Sequence, residues 1–352
     1  MTHRNSVRRP GRRSLLTGGA ALIAAGSLLL AGCSSQGDTA AKDGAEPSDD
    51  LTKVTLMLNW TPNAHHAGIY YAQENGLYAD EGIDLEIVEP GADLGAAAAV
   101  AEGTVEFGLA PAESLLPARE AGMDAIAIAT LLPVNDSALM GVSESGLTDD
   151  PKSLEGKRYG GFGGALETEI ISELVTCAGG DPEKVEFVDI GNVDYLAGLQ
   201  QQRFDAAWVF EGWDALRAQS ESDDVVTIPF ADHLDCIPNW YTPTVITSEA
   251  LAESDPDLVR GFLAATSAGY EAVAEDPAAG ASALLAGAPE LDEQLVTDSV
   301  AYYAPLYGTE EGFGQMDPKT WAEFTSFLVQ AGMLENEAPV KGAWTNDYLP
   351  QD

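Results

Sequence analysis

Two stretches of the chain crowd together side chains suited to gripping a flat, polar molecule. "LNWTPNAHHAGIYYAQENGLY", residues 58–78, sets Asn59, Trp60, His65 and His66 around one turn, and "WVFEGWDAL", residues 208–216, sets Glu211 between Trp208 and Trp213. Tryptophan offers a broad ring face for stacking, and a carboxylate accepts from amino groups and protonated ring nitrogens. The combination suits a neutral or weakly basic aminoheterocycle. A third stretch, "YGGFGGALETE", residues 159–169, opens a helix with glycines that let backbone approach a flat ligand, with Phe162 as a wall, Gly164 at the close approach and Glu167 one turn into the helix. It lacks the Gly-Lys-Ser/Thr of a phosphate loop, and Leu166 takes the last glycine place of G-x-G-x-x-G. Glu113 in "APAES" and Tyr241 in "YTPTVIT" complete the candidate set. The plainer reading of each stretch is a tight turn or core aromatics, but an acid set between aromatics is seldom core.

Adjacent histidines suggest a metal, yet neighbours on a helix point about 100° apart and do not share an ion easily. Only His3 and His233 exist besides, so no metal is expected. One of His65 and His66 is expected to bond a ligand while the other packs or caps. Motifs for catalysis (G-x-S-x-G, H-E-x-x-H, paired C-x-x-C, the kinase set) are missing from the sequence. No catalytic residue, cofactor or enzymatic activity is therefore expected.

The elements that position these residues alternate between β and α. "KVTLMLNW", "IDLEIVE", "VEFGLA" and "DAIAIATLL" read as strands, separated by helices at 64–75, 94–102 and 114–121. Short apolar strands between helices imply α/β architecture with parallel, doubly covered sheets. After "DDPKSLEGKRYGGFGG" the plan restarts: strand 157–161, helix 166–177, strand "VEFVDI", helix 193–201, strand "FDAAWVF". "TVEFGLAPAE" and "RFDAAWVFEG" share a phrase, each a short strand followed by an acid, Glu113 or Glu211. From "YTPTVITSEAL" onward the pattern is helical, with Ser254 as a helix cap and Leu258, Val259, Phe262, Leu263, Tyr270 and Val273 as one stripe. Two doubly wound lobes with a cleft between them are expected: residues 51–142 with 245–352, and residues 143–244. The chain would cross between them near Val142 and near Thr244.

Composition supplies the address. The basic start "RNSVRRPGRRS" precedes an apolar run from Leu15 to Leu30, too short for a comfortable membrane span and read as a signal peptide covering residues 1–33. Leu30-Ala31-Gly32-Cys33 resembles a lipobox, with Cys33 lipidated, and Arg12-Arg13 before Ser14-Leu15-Leu16 resembles a twin-arginine signal. Export by the general or the twin-arginine route stays open. Residues 34–50, "SSQGDTAAKDGAEPSDD", read as a flexible acidic tether with a reach of roughly 20 to 25 Å. The formal charge is −40 and falls further once the signal's Arg4, Arg8, Arg9, Arg12 and Arg13 are removed, which disfavours nucleic acid and anionic lipid as partners. With Cys33 lipidated, Cys177 and Cys236 remain as a pair in an oxidising compartment, bonded or both reduced.

"LNWTPNAHHAGIYYAQENGLYADEGIDLEIVEP", "KRYGGFGGALETEI", "FDAAWVFEGW" and "YTPTVIT" together resemble the solute-binding proteins of ABC importers related to the pyrimidine-precursor synthase of thiamine biosynthesis, over roughly residues 52–335. The resemblance implies a periplasmic-binding fold of the second topological type. It also implies a monomer held outside the cell membrane by its lipid, and a permease with its ATPase as partners. The ligand it implies is formylaminopyrimidine or hydroxymethylpyrimidine. A sister branch binds riboflavin, and alkanesulfonate or nitrate binders share the fold. The synthase is the enzymatic alternative, but its lysine for pyridoxal phosphate and its histidine fall here on Ala110 and Ser114, and its cysteine-rich motif falls on Asn239–Pro243, which has no cysteine. On this reading Asn59, Trp60 and one of His65 or His66 form the first-lobe wall of the cleft. Glu167, Trp208, Glu211, Trp213 and Tyr241 form the second-lobe wall.

Overall fold

The computed structural model describes residues 51–91, 94–191, 193–308 and 312–351. The signal peptide, Cys33 and the tether expected at 1–50 lie outside the described residues.

Among the described residues ten strands form two sheets. β1 (Thr52–Met57), β2 (Ile83–Val88), β3 (Phe107–Ala110), β4 (Ile126–Thr130) and β10 (Thr244–Thr247) make the first, in the order β2-β1-β3-β10-β4. β5 (Ser137–Val142), β6 (Arg158–Gly161), β7 (Glu186–Asp189), β8 (Ala206–Phe210) and β9 (Val225–Pro229) make the second, in the order β7-β6-β8-β5-β9. The two orders match strand for strand, and the phrases carrying Glu113 and Glu211 follow equivalent strands, β3 and β8. β3, β4, β5 and β10 are buried along their whole length, as strands covered by helices on both faces must be.

The expectations for sheet direction and for the first crossing need correction. The sheets are mixed rather than parallel: β10 runs antiparallel to β3 and β4, and β5 antiparallel to β8 and β9. β5 also pairs in the second sheet, so the first crossing falls at residues 131–136 and not near Val142. Each crossing delivers the chain into the interior of the sheet it joins, and the strand it starts there opposes its neighbours. The crossings are tied to each other: Asn239 accepts from the Asn135 amide at 3.0 Å and donates to Pro133 O at 2.9 Å, and Leu131 N donates to Pro243 O at 3.1 Å.

The helical tail lies against the first sheet's lobe. Helix Ala67–Glu74 packs on helix Pro256–Glu275 so closely that a Cβ on Gly269 would stand 2.2 Å from Gly68 O, and one on Gly68 would stand 2.4 Å from the Tyr270 ring. Asp-Pro pairs start helices Pro256–Glu275, Pro277–Gly287 and Pro318–Gln330 of the tail. Asp255, Asp276 and Asp317 accept from Leu258, Ala279 and Lys319 amides at 3.1, 3.2 and 2.8 Å, while proline occupies the first helical position, where no amide is needed. Ser254 is therefore not the cap: it ends the preceding helix, its hydroxyl donating to Ala250 O at 2.7 Å. The free edge of β4 is closed by later chain, through Ala127 N to Ala343 O at 2.8 Å and Thr130 N to Gly314 O at 3.0 Å. Cys177 and Cys236 form a disulfide between the end of helix Ala165–Cys177 and the return crossing. Among the described residues no helix is long and apolar enough to cross a membrane.

Candidate functional site

The turn after β1 is built by its own side chains. Asn63 accepts from the His65 amide at 2.9 Å, and its own amide donates to His66 Nδ1 at 3.2 Å, a reciprocal cap that fixes the turn Ala64–His66. Because Nδ1 of His66 accepts, the ring proton sits on Nε2, which donates to Asn59 Oδ1 at 2.9 Å. Burial, with His65 adding to it, lowers the His66 pKa to about 3, so the ring is neutral. His66 is thus the packed member of the pair, and it holds Asn59. Trp60 beside it is 57% exposed. From behind, Tyr270 and Tyr307 donate to the carbonyls of His65 and Ala64, both at 2.7 Å, so the tail fixes the turn that carries the candidate ligand groups.

His65 points the other way, toward the second lobe. Its ring meets Phe210 and Tyr303 edge-on at 5.2 and 4.6 Å, and Nε2 lies 3.4 Å from Asp136 Oδ1. Tyr303 OH donates to the other oxygen of Asp136, and the Glu211 amide donates to Asp136 O at 3.0 Å. Glu211 is half-buried, and among the described residues its oxygens are approached only by Thr227 Oγ1 at 3.4 Å and Tyr302 OH at 3.5 Å. Desolvation raises its pKa, with Asp136 and Asp232 adding to the rise. Desolvation likewise raises Asp214, with Asp136 pushing the same way. Asp136, Glu211 and Asp214 therefore converge where the lobes meet, and Arg217, the cation near them, is paired with Asp194 and Glu221. Gly212 has no room for a side chain there, since a Cβ would stand 2.4 Å from both Tyr302 and Tyr303. Trp213 packs against the first-lobe cluster of Ala64, Ala67 and Tyr303.

Three expected wall residues do other work. Glu167 turns back on the glycine loop, accepting from the Phe162 and Gly164 amides at 3.1 and 2.9 Å and from Tyr159 OH at 3.0 Å; its acceptors are spent holding the loop, from which Phe162 projects 56% exposed. Gly164 is the residue before that helix and has extended backbone; the neighbouring Gly163 takes the left-handed φ of +76°. Trp208 sets its ring edge-on to Phe230 and Trp240 at 4.7 and 5.9 Å. Tyr241 belongs to the first lobe: it is 3% exposed, its hydroxyl accepts from Asp317 N at 2.7 Å, and its carbonyl accepts from Ala112 N at 2.9 Å.

Glu113 is partly exposed as a residue, but its Oε2 is enclosed and lacks a hydrogen-bond partner among the described residues. Burial raises its pKa to about 7; the Trp240 indole pulls it down without completing a bond of ordinary geometry. Sequence reasoning missed Asp136, Tyr302, Tyr303 and Asn239. The Pro133–Asp136 turn residues and the tyrosines of "AYYAPLY" were the available signals.

Two helix-covered lobes with sheets of like order, joined by tied crossings, define the periplasmic-binding-protein fold. Among solved structures the chain is similar to the periplasmic aliphatic sulphonate binding protein SsuA from Escherichia coli, with TM-score 0.67 and 14% identity over 85% of this chain and 94% of that one, a likeness of fold. The chain belongs to the NMT1/THI5-like family, whose profile matches residues 63–280. It is 28% identical over 327 residues to the formylaminopyrimidine-binding protein of Halalkalibacterium halodurans, covering 91% of this chain and 95% of that protein. It is 26% identical over 301 residues to the 4-amino-5-hydroxymethyl-2-methylpyrimidine phosphate synthase of Legionella pneumophila, covering 85% and 93%.

Proposed function

We propose that this chain is the solute-binding subunit of an ABC importer, anchored outside the cytoplasmic membrane through Cys33, and that it delivers a thiamine pyrimidine precursor, formylaminopyrimidine or hydroxymethylpyrimidine, to a permease and its ATPase. The carrying observation is Glu211, a half-buried carboxylate between the lobes whose own contacts are long enough, at 3.4 and 3.5 Å, to yield to better donors. An aminopyrimidine supplies such donors. Asn59, fixed by His66, and the exposed faces of Trp60 and Phe162 are the further groups a flat ring would use. Sulfonate or nitrate would need cations, whereas the seam gathers Asp136, Glu211 and Asp214.

The chain binds rather than converts its ligand. Where the synthase resemblance calls for a lysine, Ala110 lies in β3 paired to Thr244. Where it calls for a histidine, Ser114 donates to Pro111 O at 3.0 Å. Asn239, in place of the cysteine-rich motif, ties the crossings.

Titration calorimetry and thermal shift of the soluble domain against both pyrimidines, riboflavin, taurine and nitrate test the reading. A ligand at a hundredfold excess over its Kd stabilises the fold by about 2.7 kcal/mol. A shift with a pyrimidine, weakened by about tenfold or more in Trp60→Ala, supports the proposal; a shift with riboflavin, taurine or nitrate alone overturns the ligand assignment.

A further inference from the structure

Two buried polar atoms face each other where the lobes meet, and neither is satisfied. His65 Nε2 and Asp136 Oδ1 lie 3.4 Å apart, and neither has a hydrogen-bond partner among the described residues. The two residues are only 3% and 7% exposed. Burial of an unpaired polar atom is costly and uncommon, so two of them kept within ion-pair reach call for a state in which they join. Both ends are held ready. Tyr303 OH occupies the other oxygen of Asp136, Phe210 and Tyr303 flank the imidazole, and Tyr270 fixes the backbone at His65 O. The pair links the turn that carries Asn59 and Trp60 to the segment that carries Glu211, through Glu211 N on Asp136 O.

We propose that His65 and Asp136 are positioning residues: when a ligand draws the lobes together, His65 Nε2–H donates to Asp136 Oδ1 and holds the closed form. The proposal rests on the ligand-binding reading above. The titratable groups facing the pair are His66, Glu211, Asp214, Tyr302, Tyr303 and Tyr307. None is a lysine or arginine, and Arg217, which acts on Asp214, is held by Asp194 and Glu221. No cation among these groups competes with His65 for the free oxygen of Asp136.

The test is a double-mutant cycle of His65→Phe and Asp136→Asn, read as pyrimidine affinity, with folding checked by thermal unfolding. Each single variant is expected to weaken binding about tenfold, and the double variant to be no weaker than either. The coupling between the positions, not the affinity of any one variant, is the quantity read. His65→Gln keeps a donor and is expected to recover part of the affinity that His65→Phe loses. Additive losses, or no recovery in His65→Gln, overturn the proposal. If the parent binds neither pyrimidine, the ligand reading falls, and the pair is judged by the distance between spin labels at the exposed positions Glu102 and Glu186 in ligand-free protein. A distribution unchanged between parent and His65→Phe overturns the latch, and a shift toward longer distances in the variant supports it.

Discussion

His66 and the Oε2 atom of Glu113 are both enclosed, and the protonation equilibria of the two residues pull stability in opposite directions over the same pH range. His66 falls from its ordinary 6.5 to about 3 in the fold, through burial first and His65 second. Between those values the unfolded chain binds a proton that the native chain refuses, so acidification below pH 6.5 costs about 1.4 kcal/mol per unit. Glu113 rises from 4.5 to about 7 through burial. Between those values the native chain keeps a proton that the unfolded chain releases, so stability is full below pH 4.5 and is lost as the pH rises toward 7. From pH 4.5 to 6.5 the two slopes oppose and largely cancel in the parent. The perturbation is to remove one of them. His66→Gln preserves the reciprocal cap, since glutamine can accept from the Asn63 amide and donate to Asn59, while abolishing the titration. Over those two pH units, parent and His66→Gln stabilities are expected to diverge by about 2.7 kcal/mol, with the variant gaining on the parent as the pH falls. Glu113→Gln should diverge with the opposite sign by roughly 2 kcal/mol, the smaller figure reflecting screening of a residue that is partly exposed. Urea unfolding of the three proteins at pH 4.5, 5.5 and 6.5 measures both differences, and every other carboxylate is common to the curves. Parallel curves for parent and His66→Gln would refute the claim that the imidazole is held neutral.

Two further outcomes follow from the packing. Cys177 and Cys236 are separated by 59 residues, so cutting that loop with paired serines should cost up to about 4 kcal/mol, read as a lower urea midpoint; an unchanged midpoint would show that the bond contributes nothing. Gly269→Ala drives a methyl group to 2.2 Å from Gly68 O, and overpacking should cost about 1–3 kcal/mol. Because Gly68 neighbours the turn that Tyr270 holds, this variant should also weaken ligand binding, and loss of stability with full affinity would separate the helix contact from the site.

What the sequence makes legible is local. Asn59 and Trp60 follow a strand, Glu211 follows another, and residues at strand ends are exposed to a cleft wherever the sheet is placed. The cap that holds His66 is written within four residues, and Glu167 reaches back no further than the eight residues to Tyr159. Register across the fold is not written this way. "SALMGV" and "TVIT" are short apolar runs, and what makes them strands is β8 and β9 in one case and β3 and β4 in the other, each contributed from far along the chain. Tyr241 went to the wrong lobe for the same reason: it precedes β10 directly, and β10 belongs to the first sheet. Asp136 escaped notice because one acid in a turn has no local signature; His65 and Tyr303, from opposite ends of the chain, give it a role.

The placement of β5 and β10 bears on how such a molecule can move. Each is the strand that a crossing feeds, and each sits inside its sheet, β10 between β3 and β4 and β5 between β8 and β9. A strand bonded on both sides is a poor site for bending, because any rotation there breaks two ladders at once. Relative motion of the lobes must therefore be taken up in residues 131–136 and in the return crossing, where Asn239 ties one to the other through side-chain bonds of 2.9 and 3.0 Å. Asp136 is the last residue of the first crossing before β5. The carboxylate facing His65 thus stands at the point where rotation ends and rigid sheet begins, so a small change in the crossing's backbone alters the 3.4 Å separation directly, while Glu211, bonded through its amide to Asp136 O, moves with the same segment.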